Sequence, residues 1–322
     1  MCGIVGLYSK SPAVGEQLSA HLARMLVQMS GRGPDSAGVA IYRDPLPAGE
    51  SKLSLHANGP VDWTAVEARL AAGLGVAAAE VLAERHARFT VSAEAEEAER
   101  WVERELPELH VMSAGRAIEI YKEALAPEAF AERFALDRLR GSHALGHTRM
   151  ATESRVTTEG SHPFSTGLDL CLVHNGSLSN HNRLRRMLRR EGISIRTEND
   201  SEVAAGYLTW RLREGASLEQ ALEGCLVDLD GFFTFAVGTA DGFAVLRDPI
   251  ACKPAVMAET DEWVAMASEY RALAVLPGAE RARVWEPEPA RVYSWGRGSH
   301  DAGDRESLSG CGAARPAEAT PA

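Results

Sequence analysis

The chain opens Met-Cys-Gly-Ile-Val-Gly-Leu-Tyr, so a strand begins at its second residue and constrains everything that follows. Residues 2–8 are apolar and broken by glycine, as in a short buried strand. Cys2 is small enough for the initiator Met1 to be removed, which would leave an α-amine and a thiol on one residue. The amine titrates near ~7.7–8.0 and the thiol near ~8.5, so each can exchange a proton at neutral pH with little penalty. A nucleophile needs a base, and this residue would carry its own. Taken alone, Met-Cys fits a structural cysteine buried on a strand better than it fits a nucleophile.

After that strand, Leu18, Leu22, Met25, Leu26 and Met29 recur at the spacing of one helix face. Gly31 to Asp35 (GRGPD) stop the helix, and Val39 to Tyr42 resume as a strand. Residues 45–140 are Ala- and Glu-rich, with helical patterns near 62–72, 93–105 and 127–140 and few strand signals, so they read as a largely helical insertion. Strand character returns at 143–149 and 169–174. A basic helix (about 180–191), an amphipathic one (about 201–213) and a third at 217–229 follow. From Phe232 short strands at 232–238, 242–247, 254–258, 263–267 and 291–295 read as an antiparallel meander. Residues 297–322 turn to Gly, Ser, Ala, Pro and charge and read as a disordered tail, which leaves 2–296 as one α+β layered domain.

Composition excludes several classes of function. Thirty-four basic residues against 45 acidic ones give a net charge of -11, which argues against nonspecific binding to nucleic acid or an anionic membrane. No apolar run approaches the ~18–20 residues that span a bilayer. The start lacks a basic leader followed by an apolar stretch. The five cysteines (Cys2, Cys171, Cys225, Cys252, Cys311) are scattered, with neither disulfide nor zinc spacing. A cytoplasmic chain without a metal is the expectation.

Six motifs stand in order: MCGIVG at the start, GRGPDSAG at 31–38, GHTRMAT at 146–152, HPF at 162–164, HNGSLSN at 174–180 and NDSEV at 199–203. Together the sequence resembles the class II glutamine amidotransferases, which are N-terminal-nucleophile hydrolases; RDPIACKP (247–254) and ASEYRAL (267–273) extend the likeness. The resemblance implies a four-layer αββα sandwich, here with the insertion at about 45–140. It implies that Arg149 holds the α-carboxylate of L-glutamine. A planar guanidinium matches a carboxylate bidentately, which lysine does not reproduce. It gives Thr152 an auxiliary contact to that carboxylate and Asp200 the α-ammonium. Asn175 and Gly176 would form the oxyanion hole, through the side-chain amide and the backbone N–H. His162 would be a supporting or substrate contact, and Arg32 would brace the loop of the nucleophile. The bland readings are a surface ion pair for Arg149, a helix cap for Asp200 and a turn for Asn-Gly.

Met150, where other branches carry an aromatic, and the long insertion make the chain similar to the GlxB-type branch. That branch is related to the amidotransferase domain of glutamate synthase and to the small subunit of N-methylglutamate synthase. No ATP-activating SGG-x-DS loop, phosphosugar isomerase domain, phosphoribosyl diphosphate motif or flavin barrel is found in the sequence. The implied role is therefore that of a glutaminase subunit in a hetero-oligomer, passing ammonia to a glutamate synthase-like synthase subunit that would carry FMN and an iron–sulfur cluster. No cofactor is expected on this chain. The alternatives are a free-standing γ-glutamyl amide hydrolase and a catalytically silent regulatory subunit.

Overall fold

The computed structural model describes residues 2–151 and 156–296, so Met1, Thr152 and the 297–322 tail lie outside the described residues. Two antiparallel sheets carry the fold. The first contains β1 (Gly3–Ser9), β2 (Ser36–Tyr42), β7 (Ile118–Glu123), β8 (His143–Arg149), β13 (Val256–Glu259), β14 (Trp263–Ala267) and β15 (Arg283–Trp285), ordered β15-β13-β14-β1-β8-β2-β7. The second contains β9 (Phe164–Gly167), β10 (Leu170–Leu178), β11 (Gly231–Thr239), β12 (Gly242–Arg247) and β16 (Val292–Gly296), ordered β16-β12-β11-β10-β9.

The strands read as continuous apolar runs because both of their faces are covered. Alternate residues serve different layers. Ile4, Ala40, Tyr42 and Leu145 of the first sheet meet Cys171, Val173, Ala236 and Val245 of the second in the space between them. Val5, Leu7, Val39 and Ile41 face outward onto α2 (Leu18–Gln28), α5 (Pro127–Arg133) and α9 (Tyr270–Leu273). On the far side, Leu172, Phe235, Val237 and Leu246 pack under α6 (His181–Arg190), α7 (Asp200–Arg213) and α8 (Leu218–Asp228). The layers are therefore helix, sheet, sheet, helix, the architecture the resemblance implies. The helix α7 is not amphipathic as expected: Ser201 through Thr209 are all buried, because α7 lies on the sheet with α6 and α8 beside it. The meander is corrected too. The strands β11, β12 and β16 pair in one sheet and β13, β14 and β15 in the other, so the chain crosses between layers.

The insertion is not largely helical. It holds the helices α3 (Trp63–Leu74) and α4 (Ala95–Glu105), but also β3 (Ser51–Ala57), β4 (Val76–Ala83), β5 (His86–Val91) and β6 (Leu109–Gly115), paired as β4-β5-β3-β6. Leu53, Leu55, Phe89 and Val91 face α3 and α4, closing a separate core with Leu70 and Val102. The opposite face is polar and buried against the main body. Lys52, Ser54, His56 and His86 are all nearly inaccessible. There the Ser54 and Ser113 hydroxyls accept from Ile120 N–H (3.2 Å each), and Lys52 and Arg88 pair with Glu119. The polar face thus satisfies backbone groups of β7, the edge strand of the first sheet, that would otherwise lie open.

Candidate active site

Cys2 stands at the head of β1, between β14 and β8, with its thiol half-buried. The Met150 N–H points at the sulfur at 3.5 Å. Arg32 Nε donates to the Cys2 carbonyl (2.9 Å), and its Nη1 pairs with Glu269 (2.7 Å), so the guanidinium ties the Cys2 backbone to the segment that follows β14. The GRGPD turn reaches this position because Gly33 lies on β8: a Cβ there would fall 2.4 Å from the Thr148 carbonyl carbon. Asp35 then fixes the chain beyond Arg149, accepting from Ala151 N–H (2.8 Å) and donating its own N–H to the Arg149 carbonyl (3.1 Å).

Asn175 and Gly176 do not form a turn. Both lie inside β10, paired with Thr234 and Phe233 of β11. Asn175 Nδ2 donates to the Cys2 carbonyl (3.2 Å) and to Ser268 Oγ (3.1 Å), while its Oδ1 faces His147 Nε2 (3.1 Å). Burial pushes the His147 imidazole down to about 3, so it is neutral. Nε2 also faces the His174 carbonyl (3.2 Å); with acceptors on both sides, it carries the proton. Ser268 closes the arrangement, accepting from Ile4 N–H (2.9 Å) and donating its own N–H to the Ile4 carbonyl (2.9 Å). At Gly176 a Cβ would lie 2.0 Å from the Phe232 carbonyl oxygen, so no side chain fits.

Arg149 ends β8, buried, and its Nη1 donates to the Gly160 carbonyl (2.9 Å). Asn199 Nδ2 reaches the same carbonyl (3.3 Å). The helix cap belongs to Asn199, whose side chain accepts from Ser201 N–H, and not to Asp200, the first residue of α7. Asp200 Oδ2 accepts from Leu178 N–H (2.9 Å), at the end of the strand that carries Asn175. The contacts therefore form a ring. They run from the Cys2 sulfur to Met150, Arg149, Gly160, Asn199, Asp200, β10 and Asn175, and return to the Cys2 carbonyl. Five of the residues singled out in the sequence (Cys2, Arg149, Asn175, Gly176, Asp200) lie on this ring, and Arg32 braces it.

His162 follows a different pattern. It precedes a cis peptide to Pro163, its ring lies tilted against His147 (4.0 Å between centroids, 32° between planes), and Phe164 meets it edge-on. Burial, then His147 and His174, hold it well below its usual range, so it supports the floor of the ring as a neutral ring. Thr152 lies outside the described residues. His147, Ser268, Glu269 and Asp35 escaped individual notice in the sequence, although each sits inside one of the quoted motifs.

The remaining thiols differ in kind. Cys171 and Cys225 are fully buried, and burial pushes Cys171 up to about 12; Cys252 is exposed and Cys311 is not described. Among the described residues no His, Cys, Asp or Glu cluster could hold a metal ion, and no helix is long and apolar enough to cross a membrane.

Residues 147–275 match a family model described as a glutamine amidotransferase domain. Over 92% of its length the chain is 54% identical to the glutamine amidotransferase-like protein GlxB of Rhizobium meliloti (strain 1021), covering 98% of that protein. It is 32% identical over 49% of its length to an amidophosphoribosyltransferase of Archaeoglobus fulgidus, of which it spans 35%. Among solved structures, the glutamine phosphoribosylpyrophosphate amidotransferase from B. subtilis superposes with a TM-score of 0.59 at 19% identity. That match covers 92% of this chain and 47% of the other, and it shows a shared fold.

Proposed function

Because the chain belongs to the GlxB-like glutamine amidotransferases, we propose that it hydrolyses L-glutamine to glutamate and ammonia at Cys2, with Met1 removed. The observation that supports this reading is the closed ring of contacts, which surrounds one thiol with a guanidinium, a carboxylate and an amide.

Arg149 holds the α-carboxylate, with Thr152 as auxiliary, and Asp200 holds the α-ammonium. The side-chain amide then extends to Cys2. The thiol sulfur attacks the amide carbon while the Cys2 α-amine takes the thiol proton, directly or through one water. Asn175 and the Gly176 N–H receive the oxyanion. Both Asn175 amide protons are engaged in the free protein, so one leaves the Cys2 carbonyl or Ser268 as the oxyanion forms. When the carbon–nitrogen bond breaks, the amine proton goes to the departing ammonia and a γ-glutamyl thioester remains. Water, deprotonated by the same amine, attacks that thioester; the carbon–sulfur bond breaks, the amine returns the proton to the Cys2 thiolate, and glutamate leaves.

The ammonia passes to a partner synthase subunit of the glutamate synthase-like or N-methylglutamate synthase-like kind, and any FMN or iron–sulfur cluster belongs to that partner. The test combines three measurements. Mass spectrometry of the purified protein is expected to find Cys2 as the first residue. Cys2→Ala is expected to keep the fold and lose glutaminase turnover. Purification at native expression level is expected to bring down the partner. Retained Met1, or turnover that survives Cys2→Ala, would overturn the mechanism. A lone chain that aminates an acceptor would overturn the partner.

A further inference from the structure

We propose that Lys122, from the insertion side of the molecule, is the positioning residue that sets the glutamine head-group site, by holding the 159–163 loop through its alternate carbonyls. The inference rests on the assignment of Arg149 and Asp200 to the glutamine head group.

Lys122 lies on β7 and is buried. Its ammonium donates to the carbonyls of Glu159 (3.2 Å), Ser161 (2.9 Å) and Pro163 (3.1 Å). Three donors meet three acceptors, so the ammonium is fully satisfied by backbone. The Phe164 ring covers it at 4.6 Å. One cation thus gathers the carbonyls of residues 159, 161 and 163 around a turn, and the carbonyl of residue 160 is left to other donors. The Gly160 carbonyl is the one that Arg149 and Asn199 share. One ammonium thus fixes the acceptor that orients both the carboxylate reader and the residue next to the ammonium reader.

The loop has no comparable anchor in its own sequence. The Thr157 hydroxyl accepts from Gly160 N–H (3.1 Å) and the Ser161 hydroxyl donates to the Thr157 carbonyl (2.8 Å), which shapes the turn but does not attach it to the sheet. Attachment comes from Lys122, from the Arg149 and Asn199 bonds to Gly160, and from the gap over Gly38, where a Cβ would fall 2.1 Å from the His162 carbonyl oxygen. Glu202 and Glu159 face Lys122 as counter-charges. Arg149, Arg196 and the rings of His56, His86, His110 and His162 stand around it. Burial pulls the amine down to about 8, partly offset by Glu202 and Glu159, and it remains an ammonium at neutral pH.

The experiment compares wild type, Lys122→Met and Lys122→Arg. Lys122→Met keeps the stem and removes the donors, which leaves three buried carbonyls unpaired. Its KM for glutamine is expected to rise about 10- to 100-fold, with kcat changed less than about threefold. Alkylation of Cys2 by iodoacetamide, which needs no head-group site, is expected to keep its rate. Amide exchange over 157–163 is expected to quicken at least about tenfold, with β2 and β8 unchanged. Lys122→Arg, which keeps a buried cation, is expected to raise KM less; it is the variant to read if Lys122→Met does not fold. Unchanged exchange in the loop, or a kcat loss at constant KM, would overturn the inference. A wild type that does not hydrolyse glutamine would instead overturn the functional reading, while the exchange measurement still decides whether Lys122 holds the loop.

Discussion

Asn175 commits both amide protons before any substrate arrives, one to the Cys2 carbonyl and one to Ser268. It is thus a structural clamp at rest and, on the proposed mechanism, an oxyanion donor in the reaction, so its replacement should register in two ways. Asn175→Ala is expected to lower kcat by roughly 10²–10³-fold, with a smaller change in KM, in a coupled glutamate assay. Arg149→Lys keeps the charge but not the planar fork. A loss of roughly 1.5–3 kcal/mol in binding, read as an increase in KM, is expected. These residues were legible in the sequence because each sits in a motif with its own chemistry. His147 and Ser268 were not, since their meaning depends on β8 and β14 flanking β1, and no local spacing announces that. Asp200 shows the same limit from the other direction: the bland alternative to an ammonium contact was a helix cap, and the cap is its neighbour Asn199.

At the level of elements, helices with a clear apolar stripe were read to within a residue or two, as were hairpin strands such as β12. The insertion was misread because β4, Val-Ala-Ala-Ala-Glu-Val-Leu-Ala, is an exposed edge strand made of residues that favour helix. Pairing with β5 overrides that preference. The alternation Lys52-Leu53-Ser54-Leu55-His56 in β3 was the available signal, and it separates a helix-packed face from a buried polar one. The third helical pattern, 127–140, stops early: α5 ends at Arg133, and Ala135 takes a positive φ of 45°. The strand β10 runs past its expected end and takes Asn175 and Gly176 with it. Gly176→Ala would press a methyl against β11, where the Phe232 carbonyl oxygen would lie 2.0 Å away. A loss of about 1–3 kcal/mol in urea unfolding is expected, together with loss of turnover as the oxyanion donors shift.

For the whole molecule, the attachment of the insertion turns on Glu119, which is fully buried and pairs with Arg88, Lys52 and Arg43. Burial by itself would raise this carboxyl, but Arg88 and Lys52, aided by the Tyr121 hydroxyl and Arg43, outweigh it and hold it below the usual range. A depressed folded value means the stabilisation is complete above the ordinary pKa of an unfolded glutamate, ~4.3, and is lost as pH falls through the lowered value. The urea midpoint of the wild type should therefore drop steeply below pH ~4. In Glu119→Gln that slope should flatten, from a neutral-pH stability already lower by roughly 3–5 kcal/mol, because buried cations lose their counter-charge. A variant with wild-type stability at pH 7 would exclude Glu119 as the anchor. Ile4 and Ser268 are 264 residues apart in the chain, yet their reciprocal bonds hold the floor beneath Cys2. The residues that support Cys2 therefore come together only once β14 has been made. A polypeptide released before β14 has emerged would carry Asn175 without its Ser268 partner and Cys2 without the bonds beneath it, so on the proposed mechanism ammonia release would report that β14 is in place.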